Sequence, residues 1–154
     1  MAGIIDTNLV VQIAIIVKDI EATRMKFAEF LGVAPPKVIS GGDFTLTNTH
    51  YMGIPAPNVN AKLAFFNIGS SLTLELIEPN GEKSALQDHL DERGEGLHHI
   101  AFRVKGIDEK IAACEEFGMT CVQRGNLFDI DGEYAYMDAT KDLKCFIDLL
   151  ENHE

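Results

Sequence analysis

The sequence predicts an α+β fold of two tandem βαβββ modules, their strands forming an open, mixed-sheet barrel around a cavity. Two observations carry this expectation. Residues 11–21, VQIAIIVKDIE, are echoed by residues 98–108, HHIAFRVKGID, at an offset of 87 from Gln12 to His99. Such self-similarity marks a duplicated unit. LELIE at 74–78 then lies over IDLLE at 147–151, at an offset of 73 from Glu75 to Asp148. Because the offset shrinks, the first copy holds extra chain in its middle, the segment PPKVISGGDFTLTNTHYMGIPAPNVN at 35–60.

Each copy opens on a run of β-branched and aromatic residues, Val10 to Val17 and Ile100 to Val104, which is the strand signal. Asp19 offers a capping oxygen to a helix that places Ile20, Phe27, Ala28 and Leu31 on one side and stops at Gly32. The second copy repeats this with Ile107, Ile111, Cys114 and Phe117 before Gly118, and Phe117 matches Phe30. Three shorter strand candidates follow each helix. Between the copies, SALQDHLDERGEG reads as a connecting helix opened by Ser84 and closed by Gly94. The expected organisation is one domain over 1–154, with a first module at 8–79, a connection at 80–96 and a second module at 97–154.

Composition narrows the partners. Thirteen basic residues against 24 acidic ones give a net charge of −11 and a pI near 4.8, a field that repels nucleic acid and anionic membrane surfaces. No run approaches the ~18 apolar residues of a membrane span, and the N-terminus lacks a signal-peptide pattern. Cys114, Cys121 and Cys145 are odd in number and lack metal-type spacing, so free thiols and a cytoplasmic location are expected.

The repeat also selects residues. Successive strand side chains point to opposite faces, and equivalent positions in two packed copies converge on the pseudo-twofold axis between them. Gln12 and His99 are one such pair, Glu75 and Asp148 another. Two carboxylates facing one cavity repel unless one is protonated or a cation lies between them. With an imidazole and an amide added, the donor set suits one divalent ion of zinc, nickel, cobalt, manganese or iron, in near-octahedral geometry. Alternatively His99 is a satisfied core histidine, and Glu75 faces outward with Leu74 and Leu76 inside. Alternation turns His98 away from His99, to a second layer or the surface. His50, His89 and His153 sit in polar contexts and carry no assigned role. Lys62, Lys83, Arg93, Arg103 and Arg124 are scattered candidates for a basic entrance. Tyr51 and Met52 either line a pocket or belong to a surface loop stiffened by Pro55 and Pro57.

The run GEGLHHIAFRVKGID, with VQIAIIVKDIEA, LELIEP and FIDLLE, resembles the vicinal oxygen chelate superfamily, and most closely its methylmalonyl-CoA epimerase and glyoxalase-like branch. The resemblance covers nearly the whole chain. It implies a divalent metal held by one residue from each of four strands, here Gln12, Glu75, His99 and Asp148. It also implies proton transfer next to a metal-bound carbonyl through an enediolate, with Asp148 and Glu75 as the available bases. The implied partner is a small carbonyl compound or thioester, and the implied assembly a homodimer. The activity is then that of an epimerase-like isomerase, or of a glyoxalase I-like lactoylglutathione lyase. The same fold also hosts metal-free resistance proteins that sequester small molecules. Epimerase relatives usually carry histidine where Gln12 stands, whereas some glyoxalase I enzymes carry glutamine. Glutamate is usual at Asp148. The base that epimerase relatives tend to carry near Asn58 has no counterpart, since no carboxylate occurs from Ile54 to Leu63.

Overall fold

In a computed structural model, which describes residues 3–153, fourteen elements follow the chain. Residues 1, 2 and 154, the ends of the expected single domain, lie outside the described residues. The first half contains β1 (Val10–Ile16), α1 (Ile20–Leu31), β2 (Ile39–Ser40), α2 (Phe44–Thr47), β3 (His50–Tyr51), β4 (Ile54–Pro55), β5 (Ala61–Ile68) and β6 (Leu72–Pro79). α3 (Ala85–Arg93) connects it to β7 (Gly96–Arg103), α4 (Ile107–Phe117), β8 (Thr120–Asn126), β9 (Gly132–Asp138) and β10 (Phe146–Asn152). Among the described residues one ten-stranded sheet runs β2-β5-β6-β1-β7-β10-β9-β8-β3-β4. Without α2, β3 and β4, the two halves have the same order, each first strand lying parallel to the last strand of its own half. β1 and β7 pair antiparallel at the join.

Local chemistry fixes the helices. Asp19 accepts from the Ala22 N–H at 3.1 Å, and Gly32, at φ 70°, closes α1 on the carbonyls of Ala28 and Glu29. Ser84 caps α3 by accepting from Gln87 N at 3.0 Å. α4 lacks a side-chain cap of its own; Glu151 of β10 accepts from Gly106 N and Ile107 N at 2.7 and 3.0 Å instead. Ile20 and Ala28 of α1 pack on Ala64, Phe66, Leu74 and Leu76, and Ile107, Ile111 and Cys114 of α4 on Ala135, Met137, Ile147 and Leu149. Each large apolar side chain so buried contributes about 1.5–3 kcal/mol. Leu31 and Phe117, expected on these faces, are exposed at the helix ends.

The extra segment of the first copy crosses to the second. β2 pairs with β5 at one end of the sheet, whereas β3 pairs with β8 at the other. Gly42 and Gly125 permit the crossing: a Cβ would meet Phe128 Cβ at 2.7 Å from Gly42, and the Thr47 carbonyl at 2.9 Å from Gly125. Tyr51 donates to Asp88 of α3, and Met52 is exposed. Neither lines the main cavity, whose wall takes Thr47, Thr49, Val59 and Asn60 from this segment instead. The sheet ends on two-residue strands, one holding Pro55, so neither edge offers the long free ladder that would favour pairing.

Candidate metal centre

The strands sort side chains by alternation. On β6, Leu74 and Leu76 enter the core under α1, and Glu75 faces the opposite side, into the cavity. On β10, Ile147 and Leu149 enter the core under α4, and Asp148 faces the cavity. The alternative of an outward Glu75 is thus corrected: Glu75 lines the cavity and is buried at 7% exposure.

Register places the four donors in two adjoining rows. Ala14 of β1 is flanked by Glu75 and His99, while Ala101 of β7 is flanked by Gln12 and Asp148. Ala14 and Ala101 are related by the same repeat as Gln12 and His99, and both are fully buried. A methyl group at these points leaves the donors room to lean over the neighbouring strand. His99 Nε2 lies 3.2 Å from Gln12 Oε1, 3.4 Å from Asp148 Oδ2 and 3.7 Å from Glu75 Oε1. The structure therefore brings all four sequence-selected residues together.

The electrostatics are those of charge without a counter-charge. Burial pushes Glu75 up to about 8. Burial, then the neighbouring Glu75, pushes Asp148 well above the usual carboxylate range. Burial, then His89, lowers His99 to about 3. Asp148 Oδ1 is buried without a hydrogen-bond partner, a state that costs roughly 1–3 kcal/mol if nothing relieves it. The donor set fits a divalent cation: it combines one imidazole nitrogen, one amide oxygen and two carboxylates, with an acceptor atom to spare.

The cavity beside these donors measures about 240 Å³. Tyr134, Tyr136, Gln123 and Phe128 on its wall were not singled out from the sequence. The two tyrosines had a signal, since residues two apart in a strand share a face. Gln123 had none: it accepts from the Ala85 N–H at 2.9 Å and donates to Tyr134 Oη at 3.1 Å, contacts made across the fold. Of the five basic candidates only Arg103 reaches this wall. Lys62, Lys83 and Arg124 pair with Glu78, Asp88, and Asp108 and Glu133 respectively, and Arg93 borders a separate cavity. His89, read from sequence as polar and unremarkable, is buried against His98 and Phe146.

A family model of the Glyoxalase/Bleomycin resistance protein/Dioxygenase superfamily matches residues 11–136, and the chain belongs to that superfamily. The Bacillus subtilis protein YqjC, described as uncharacterized, is 39% identical over 62 residues, 40% of this chain and 44% of that protein. The match thus spans less than half of its length. A hypothetical protein from Bacillus halodurans superposes with a TM-score of 0.63 at 24% identity, covering 95% of both chains. A variant of Streptomyces coelicolor methylmalonyl-CoA epimerase, in complex with 2-nitronate-propionyl-CoA, gives 0.62 at 21%, covering 94% of this chain and 97% of that one. The Mycobacterium tuberculosis methylmalonyl-CoA epimerase gives 0.61 at 17%, covering 94% and 88%. At these identities the likeness is one of fold.

Proposed function

We propose that the chain is a divalent-metal-dependent isomerase of the methylmalonyl-CoA epimerase type, moving a proton next to the carbonyl of a small carbonyl compound or thioester. The observation that carries this reading is the convergence of Gln12, Glu75 and Asp148 on His99 Nε2 within 3.7 Å. When bound, a divalent ion supplies Lewis-acid stabilisation of the negative charge that develops on the carbonyl oxygen.

The remaining steps belong to the chain. Glu75 on β6 and Asp148 on β10 approach His99 from opposite sides, so a carbon held between them meets a carboxylate on either flank. One carboxylate takes the proton from carbon as its C–H pair moves toward the carbonyl. The other, protonated, returns a proton to the opposite face. Because both are also the ligands that would hold the ion, a carboxylate must loosen from it before it can take or return the proton. Tyr136, stationed opposite Asp148 on β9, and Phe65, opposite Glu75 on β5, line this space and limit water. Arg103 offers the substrate's anionic end a cation at the cavity wall.

Gln12 supports a second reading, a glyoxalase I-like lyase, because an amide at that position matches some enzymes of that branch. One assay separates the two. Protein loaded with zinc, nickel, cobalt, manganese or iron is incubated in deuterated water with methylmalonyl-type thioesters or with hemithioacetals. Deuterium entering the α-carbon of the thioester supports the epimerase reading; product formation from the hemithioacetal alone supports the lyase. A protein that retains no divalent ion and still binds small apolar ligands is instead a sequestering module. A homodimer belongs to the same reading and is measured by sedimentation.

A further inference from the structure

Behind His99 stands an imidazole that the proposed function leaves unused. β7 carries a bulge: His99 pairs with Ala14 and Leu97 with Ile15, so His98 has no partner on β1. A bulge of this kind breaks the alternation of faces: of the two places expected for His98, a second layer or the surface, it takes the first, fully buried beside His99 and not turned away from it. The two rings meet with His98 Nδ1 2.8 Å from His99 Nδ1. Phe146 stacks on His98 at 4.6 Å and 16°. His98 Nε2 has no hydrogen-bond partner, and His98 lines a second cavity, about 180 Å³, with His89, Arg93, Thr140 and Lys144. This rear cavity shares no wall residue with the main one.

Two neutral imidazoles joined Nδ1 to Nδ1 hold one proton between them, so one ring donates and the other accepts. Only two arrangements exist. In the first, His98 Nδ1–H donates to His99 Nδ1, and His99 carries its own proton on Nε2, facing Gln12 Oε1 and Asp148. In the second, His99 Nδ1–H donates to His98 Nδ1. His99 Nε2 then presents a lone pair to the main cavity, and His98 carries its proton on Nε2, into the rear cavity. A metal ligand needs the second arrangement. Gln12 Oε1, at 3.2 Å the nearest of the three partners of His99 Nε2, can only accept and so favours the first when no cation is bound.

We propose that His98 is a positioning residue, and that the His98–His99 pair is a two-state tautomer relay that switches from the first arrangement to the second when the metal site fills. The inference rests on the metal reading of the site. In the switch, His99 Nε2 loses its proton to solvent, the shared proton passes from His98 Nδ1 to His99 Nδ1, and His98 Nε2 takes a proton from solvent on the rear side. Each ring holds one proton before and after, and neither changes charge. The site thus reads out at the rear cavity, where His98 Nε2 turns from acceptor to donor.

The test uses the full chain labelled with ¹⁵N, whose long-range ¹H–¹⁵N spectra separate protonated from bare ring nitrogens. Metal-free protein is expected to show protons on His98 Nδ1 and His99 Nε2, and zinc-loaded protein on His99 Nδ1 and His98 Nε2. Replacing the acceptor, His98→Phe, should weaken zinc binding ~10–100-fold, the usual effect of removing a group that orients a ligand. His98→Gln, whose amide oxygen can accept from His99 Nδ1–H, should recover most of the loss. Unchanged His98 protonation on zinc loading, or wild-type zinc affinity in His98→Phe, overturns the relay and leaves the metal site standing. A wild-type protein that takes up no zinc removes the metal reading itself, and the relay with it. Should His98→Phe fail to fold, the wild-type spectra decide alone.

Discussion

His99 and His153 both stand among carboxylates, and the contrast between them separates a site from a cluster. Around His153, ligand-type atoms of Glu133, Glu151 and His153 lie within 4.8 Å of one another, a tighter grouping on distance than that around His99. Yet each carboxylate there is already answered. Glu133 takes Arg124 at 2.9 Å, and Glu151 takes the N–H groups at the start of α4. Those backbone hydrogen bonds lower Glu151 below its usual range. Around His99 the carboxylates are buried, raised, and in the case of Asp148 left with an unpartnered oxygen. Proximity collects charges in both places, but only the buried one leaves a demand that a cation would meet.

The largest effect that sharpens this contrast is on metal affinity. His99→Ala should reduce the binding of a divalent ion by at least ~100-fold, more than loss of an orienting neighbour costs. His153→Ala should leave it unchanged. Titration of each variant against a chelator of known affinity measures both, and a loss in His153→Ala with none in His99→Ala would mean that the exposed cluster is the metal centre.

Why the buried site was legible and the relay was not comes down to periodicity. Duplication put Gln12 over His99 and Glu75 over Asp148, and regular alternation sent Leu74, Leu76, Ile147 and Leu149 to the helices and the carboxylates to the cavity. Both rules are local or periodic, so the sequence displays them. His98 obeys neither, because one extra residue in β7 cancels the alternation, and nothing in HHIAF marks a bulge. Nor does composition show that the segment after β2 reaches across to β8. That path depends on Gly42 passing Phe128, a contact between residues far apart in the chain. Phe30 was paired with Phe117 by the repeat, but both lie on solvent-facing helix ends, where similarity reports ancestry rather than packing.

A second prediction tests the small residues between the donors. Ala101→Val adds two methyl groups between Gln12 and Asp148 at a position with no free surface, and overpacking of this kind costs about 1–3 kcal/mol. Chemical denaturation should show that loss together with weakened metal binding, because the added bulk splits the donor pair. A variant destabilised with wild-type metal affinity would show that the row spacing has no part in the site.

A smaller effect follows from the raised carboxylate. The folded chain keeps the Glu75 proton to about pH 8, while an unfolded chain releases it near 4.5. The folded state then binds more protons between those values, and stability declines as pH rises through the window. His99, lowered to about 3 from 6.5, acts in the opposite sense below 6.5. Metal-free protein should therefore lose stability from pH 6.5 to 8, on the order of 2 kcal/mol for 1.5 units. Loading with zinc should flatten the slope, because a cation replaces the proton. A metal-free slope of zero would mean that Glu75 is ionised at neutral pH and that the buried charge is already compensated.

The smallest effect belongs to the exposed cluster. Glu151→Gln keeps an oxygen that can accept from Gly106 and Ile107 but removes the negative charge at the positive end of the α4 dipole. It also leaves His153 facing one carboxylate fewer. The melting temperature should fall slightly at low salt, less at high salt, and metal affinity should not move. The salt dependence is the decisive part: an exposed charge that caps a helix is screened by ions, whereas a carboxylate ligand held in a dry cavity is not. A drop in metal affinity in this variant would place a ligand where the structure places a helix cap.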